Sequence, residues 1–87
     1  MKLKIQPSFE RDARKSPKHI VSQLDAIFTS IITAQSLAEI PKLKKLSGHK
    51  NAYRIRIDDY RIGLLFEDKV IILTRLLSRK DVYKYFP

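Results

Sequence analysis

No cysteine occurs in the 87-residue chain, which excludes disulfide staples and thiolate metal sites from the outset. Tryptophan is absent too, and glycine occurs only twice, at Gly48 and Gly63. With so little glycine and 44% hydrophobic residues, the chain is too apolar and too little biased to be disordered. No apolar run approaches the roughly 18 residues needed to span a membrane. The opening Met1-Lys2-Leu3-Lys4 has no signal-peptide core, so a cytoplasmic location is expected. The length allows one domain over residues 1–87, with a modest core and no large enzyme scaffold. Acid is scarce relative to base: 9 Asp+Glu against 18 Lys+Arg give a net charge of +9 and imply an anionic partner.

The surplus is uneven. Residues 1–41 carry six basic and four acidic groups, whereas residues 42–87 carry twelve and five. Concentration of charge in one half points to a basic face rather than to general solubility.

No repeat or linker-like stretch interrupts the chain. Lys2 to Gln6 alternates polar and apolar residues, the pattern of a short strand ended by Pro7. Ser8 is placed to cap a short helix carrying Phe9 and Ala13 on one side. Ser16-Pro17 predicts a second helix start. From there Ile20, Val21, Leu24, Ile27, Phe28 and Ile31 recur at spacings of 3 and 4, and the helix is expected to fray over residues 33–36. In the second half the period changes to two. Residues 53–57, 60–66 and 70–77 read as a meander of three strands, with turns at Asp58-Asp59 and Glu67-Asp68-Lys69. Ser78 to Phe86 reads as a short helix or turn. The predicted class is α+β, β-α-α-β-β-β plus a short C-terminal helix, with two helices packed on one face of a small antiparallel sheet.

Pairing the strands gives the sharpest inference. A two-residue Asp58-Asp59 loop sets Ile57 opposite Tyr60, Arg56 opposite Arg61, Ile55 opposite Ile62 and Arg54 opposite Gly63. Tyr53, Ile55, Ile57, Ile62 and Leu64 then meet the helices, and Arg54, Arg56 and Arg61 share the other face. Opposed arginines repel, a poor choice for stability alone. Gly63 leaves a shallow spot beside Arg54 where a ligand backbone could approach. A three-residue second loop brings Arg75 to the same face, whereas a two-residue loop would bury it unpaired at high cost. The longer loop is therefore expected, with Arg54, Arg56, Arg61 and Arg75 forming a preformed phosphodiester site. A solvated outer face also alternates charge, but it has no need of four arginines without an acid among them. Arg79 and Tyr83, four residues apart, can project from one helical turn, although from spacing alone an amphipathic helix with a half-buried tyrosine is the better reading. His19 and His49 are isolated, and nothing supports a metal site.

Leu46-Ser47-Gly48, Tyr53-Arg54-Ile55-Arg56-Ile57-Asp58-Asp59-Tyr60-Arg61-Ile62, Leu73-Thr74-Arg75-Leu76 and Ser78-Arg79-Lys80-Asp81-Val82-Tyr83 together resemble the RelE/ParE toxin superfamily over essentially the whole chain. The RelE-like branch is the nearer resemblance. It implies a type II toxin neutralised by an antitoxin, whose contact segment should be acidic or amphipathic, with operator DNA bound only through that complex. It further implies a ribosome-dependent mRNA interferase that uses no metal or cofactor and drives the ribose 2′-hydroxyl onto the adjacent phosphate. By position Arg61, Arg79 and Tyr83 carry the chemistry, while Arg54, Arg56, Arg75 and Lys80 hold the RNA. Guanidinium groups suit the charge that builds on phosphoryl oxygens in the transition state. Arginine does not surrender its proton, so Tyr83 is the candidate for proton transfer. Two features depart from the family pattern. Ser78 stands where many relatives have histidine, and arginines occupy positions 54 and 56 where RelE has lysines. These departures keep two other functions open: a ParE-like toxin that poisons DNA gyrase, and a member that only binds antitoxin and operator.

Overall fold

In a computed structural model describing residues 1–87, the alternating segment Lys2–Ile5 forms strand β1. Pro7 does more than end it. Its fixed φ and missing N–H suit the first helical position, and helix α1 (Pro7–Lys15) starts there with Gln6 as N-cap. The hydroxyl of Ser8 caps nothing, donating instead to the Thr74 carbonyl at 2.6 Å. Ser16 ends α1, its hydroxyl turned back onto the Asp12 carbonyl.

The predicted long helix after Pro17 is two helices, α2 (Lys18–Val21) and α3 (Leu24–Thr33). The break follows from local polar competition. The Ser22 hydroxyl and Gln23 amide both donate to the His19 carbonyl, and the Gln23 N–H bonds Ile20 instead. Gln23 also reaches Asp58 across the molecule at 2.9 Å. The apolar stripe survives the break, with Ile20, Leu24 and Ile31 all buried. A short 3₁₀ turn (Leu37–Glu39) leads into a strand the periodicity did not reveal, β2 (Leu43–Lys45).

Strands β3 (Ala52–Ile57), β4 (Tyr60–Glu67) and β5 (Val70–Ser78) form the expected meander. The β3–β4 register matches the predicted one at all four pairs named above. The class is α+β as predicted, but the sheet is mixed and five-stranded. Its order is β1-β5-β4-β3-β2, and β1 runs parallel to β5 from Lys2↔Val70 to Ile5↔Leu73.

The β4–β5 turn is a correction. It has two residues, Asp68 and Lys69, both left-handed (φ 51° and 64°), and pairs Glu67 with Val70. A bulge then resets the register, since Leu64 faces Leu73 while Gly63 faces Arg75, leaving Thr74 without a partner on β4. The extra residue keeps Arg75 out of the core without a longer loop. Helix α1 holds this bulge along the β5 edge that β1 leaves free. Besides the Ser8 bond, Asp12 accepts from Arg75 Nε at 2.7 Å and from the Leu76 N–H at 3.0 Å. Asp12→Ala strands a backbone donor and a guanidinium together, an expected loss of about 1–3 kcal/mol. For a domain this size that is a Tm decrease on the order of 5–20 °C, readable by thermal denaturation. An unchanged Tm would show that the clamp is ornamental.

Most of the core lies between the sheet and α1–α3, around Phe9, Ile20, Ile31, Ile55, Ile57, Ile62, Leu64, Ile71 and Leu73. The opposite face divides in two. Helix α4 (Arg79–Tyr85), capped by the Ser78 hydroxyl at the Asp81 N–H, packs Val82 and Phe86 onto Ala52, Leu65 and Leu77. The remainder of that face is uncovered and basic.

Candidate nucleic-acid interface

Alternation along β3 and β4 puts Arg54, Arg56 and Arg61 on the side away from the main core, as the hairpin register requires. Together with Lys42, Leu43, Lys44 and Tyr83 they line an open cleft of about 370 Å³. No acidic side chain lines it. The single ion pair in the molecule, Arg75 with Asp12, lies elsewhere.

Arg61 is fixed by its own backbone. Its Nη1 donates to the carbonyls of Asp58 at 2.9 Å and Tyr60 at 2.8 Å, so its position is set before any ligand arrives. Partial burial pushes the Arg61 guanidinium below its ordinary value. Tyr83 opposes that shift, and the positive fields of Arg54, Arg56 and Arg79 add to it. The group still keeps its proton at neutral pH. Its charge is under-compensated, and an anion in the cleft would supply the missing partner. Arg54 lies over the Tyr83 ring, with Cζ 4.9 Å from the centroid, and so joins α4 to the strand floor.

The other expected site residues lie outside the cleft. Arg75 has its own carboxylate in Asp12, whose hydrogen bond raises the Arg75 value, so it is no member of the free arginine cluster. Arg79 opens α4, its N–H bonded to the Asp59 carbonyl at 2.8 Å. Its charge reaches Arg61, but with Lys80 it lines a neighbouring recess beside Asp58, Asp59 and Ser78. The shallow spot at Gly63 is filled by the chain itself, because the Phe86 ring covers it.

A family model described as the ParE toxin of the type II toxin–antitoxin system parDE matches residues 3–83. Toxin RelE3 of Methanocaldococcus jannaschii is 36% identical over the whole of both chains. The chain belongs to the RelE/ParE superfamily of type II toxins. The toxin of the RelB–RelE complex from Methanococcus jannaschii superposes with a TM-score of 0.81 at 34% identity, covering 97% of this chain and 99% of that one. The archaeal RelE–RelB complex from Pyrococcus horikoshii shares the fold at TM-score 0.69 and 24% identity, with 90% and 93% covered.

Family resemblance pointed to strands and tail, and it missed the toxin's Lys44 on β2 and Lys42 just before it. Lys44 stands opposite Arg54 in register, and the Lys42 carbonyl accepts from the Arg56 N–H. A three-residue strand shows too little alternation to be found by period, but the density of lysine at positions 42, 44 and 45 was a visible signal. Ser78 also has a local explanation, since position 78 is the N-cap of α4, where a serine hydroxyl is among the best choices.

An open, acid-free cationic cleft suits a phosphodiester backbone, and binding of that kind carries a strong salt dependence, which a single-stranded RNA probe can test. For the Arg56→Ala toxin the slope of log affinity against log salt is expected to flatten by about 0.7, one phosphate contact. Fluorescence anisotropy titrations at several salt concentrations give that slope. Lys2→Ala, on the distant edge strand, should leave it unchanged; equal slopes for all three proteins would place the RNA elsewhere.

Proposed function

We propose that this toxin is a ribosome-dependent mRNA interferase that cleaves by attack of the ribose 2′-hydroxyl on the adjacent phosphate. The observation that carries the reading is Arg61, held by two backbone carbonyls at the floor of an acid-free cleft. Such a donor stabilises negative charge on phosphoryl oxygens without reorganising during the reaction. Arg54 and Arg56 hold the RNA backbone, and Arg79 adds positive potential from the neighbouring recess. Tyr83 is the proton acceptor, its phenol standing in the cleft with its ring under Arg54. The cleft is shallow and open, which suits a substrate positioned by the ribosome better than one enclosed by the protein.

A partner of RelB type follows from the named relatives, whose toxins are recorded in complex with RelB. On a chain of net charge +9 its contact segment should be acidic enough to neutralise the cleft. A gyrase-directed activity is the second reading, favoured by the ParE description of the matching family model. One pair of assays separates them. Purified toxin added to programmed ribosomes should give discrete mRNA ends by primer extension, and DNA gyrase supercoiling should continue undisturbed. Intact message with inhibited supercoiling would replace the first reading by the second.

A further inference from the structure

The chemistry just proposed needs two proton transfers, and the cleft has so far supplied one. As the 2′ oxygen bonds to phosphorus, the bond from phosphorus to the 5′ oxygen breaks, and that oxygen leaves as an alkoxide unless it is protonated. Arginine is a poor donor for this step, because guanidinium holds its proton too firmly. An alkylammonium gives up a proton more readily, and the cleft contains two, Lys44 on β2 and Lys42 immediately before it.

We propose that Lys44 is the general acid that protonates the 5′ leaving oxygen, with Lys42 holding the RNA backbone beside it. This rests on the interferase reading and deepens it. Lys44 lies in the regular part of β2, directly across from Arg54, so both side chains rise on the cleft side of the sheet. Arg54 in turn carries Tyr83. The same arginine therefore has Lys44 beside it from one element and Tyr83 against it from another. A phosphate bound at Arg54 would have β2 on one flank and α4 on the other. Lys45 points away by strand alternation, and the His49 carbonyl engages its ammonium. Lys42, immediately before β2, sits in the left-handed region (φ 61°), and its carbonyl accepts from the Arg56 N–H rather than pairing with Arg54.

The cation layout supports a role beyond solubility. Edge strands often carry lysine to discourage pairing with other chains. That purpose is served by an outward lysine anywhere on β2, but here Lys44 stands across from Arg54, where like charges repel. In the full step the 2′ proton goes to Tyr83, the 2′ oxygen–phosphorus bond forms, and the phosphorus–5′ oxygen bond breaks. The 5′ oxygen takes a proton from the Lys44 ammonium. The products are a 2′,3′-cyclic phosphate and a 5′-hydroxyl, and the resulting amine regains its proton from water.

A leaving group that needs no acid tests the assignment. Synthetic mRNAs carrying either a normal linkage or a bridging 5′-sulfur at the cleavage point are placed in programmed ribosomes, and single-turnover rates are measured. Lys44→Ala is expected to slow the oxygen substrate on the order of 10²–10³-fold. It should cleave the sulfur substrate at close to the wild-type rate, because a thiolate departs unassisted. Lys44→Arg keeps the charge but should remain slow on oxygen and normal on sulfur. Equal losses on both substrates, or rescue of the oxygen rate by Lys44→Arg, would reduce Lys44 to a binding charge and overturn the proposal. So would an unchanged rate in Lys44→Ala. Failure of the wild-type toxin to cleave the oxygen substrate would instead overturn the interferase reading beneath it.

Discussion

Arg61→Ala is expected to lower the single-turnover rate of mRNA cleavage on programmed ribosomes by about 10²–10³-fold, the usual effect of losing one preorganised donor. Circular dichroism and Tm should change little, because the side chain lies at the cleft surface and bonds only two carbonyls near the β3–β4 turn. Arg61→Lys should recover only a small part of the rate. Lysine restores charge but loses the planar guanidinium that can bond backbone through one nitrogen and phosphate through the others. In cells the same substitution should relieve growth arrest when the toxin is expressed without antitoxin. Cleavage at the wild-type rate in the alanine variant would remove Arg61 from the chemistry.

Gly63→Val should also abolish most activity, although no cleft-lining residue changes. A Cβ at position 63 would stand 2.5 Å from Cγ of Phe86, with two more ring carbons at 2.6 and 2.8 Å. The ring must leave. Helix α4 has seven residues, too few to persist in water alone, and Val82 and Phe86 anchor it. The expected cost is about 1–3 kcal/mol, falling on α4 rather than on the main core. Trypsin should then cut at Lys80 and Lys84 faster than in the parent, and Tyr83 should no longer meet Arg54. Adding Phe86→Ala to Gly63→Val should cost far less than Phe86→Ala does in the parent, because the same contact is lost once. Unaltered protease resistance in Gly63→Val would show that the tail is held by something other than this ring.

The arginine floor was legible because one turn settles it. Asp58-Asp59 is short, polar and flanked by strict alternation, so counting from it places Arg54, Arg56 and Arg61 without further information. The next turn was harder. Keeping Arg75 out of the core was the right requirement, but a bulge at Thr74 meets it as well as a longer loop does, and strand periodicity carries no mark of a bulge. Nor does a carboxylate 63 residues away announce itself: Asp12 reaches Arg75 only because α1 lies along β5, a tertiary fact. The parallel placement of β1 was hidden for a related reason, since alternation reports which side chains face inward and says nothing about the neighbouring strand. Lys42 and Lys44 were visible as charge, but became part of a site only once β2 paired with β3.

The strand order also bears on when this molecule becomes itself. Segment Lys2–Ile5 is made well before Val70–Leu73, yet that segment is its only partner in the sheet. Until β5 exists, β1 has no ladder, and Ser8 and Asp12 of α1 have no edge to hold. The β3–β4 hairpin and the β4–β5 pair need only short loops and can close early, whereas the β1–β5 pairing must bear the entropy of nearly the whole intervening chain. Completion of the fold therefore waits on a contact remote from every cleft arginine. Changes at Leu3 or Ile71 should slow maturation of the toxin while leaving its finished chemistry intact.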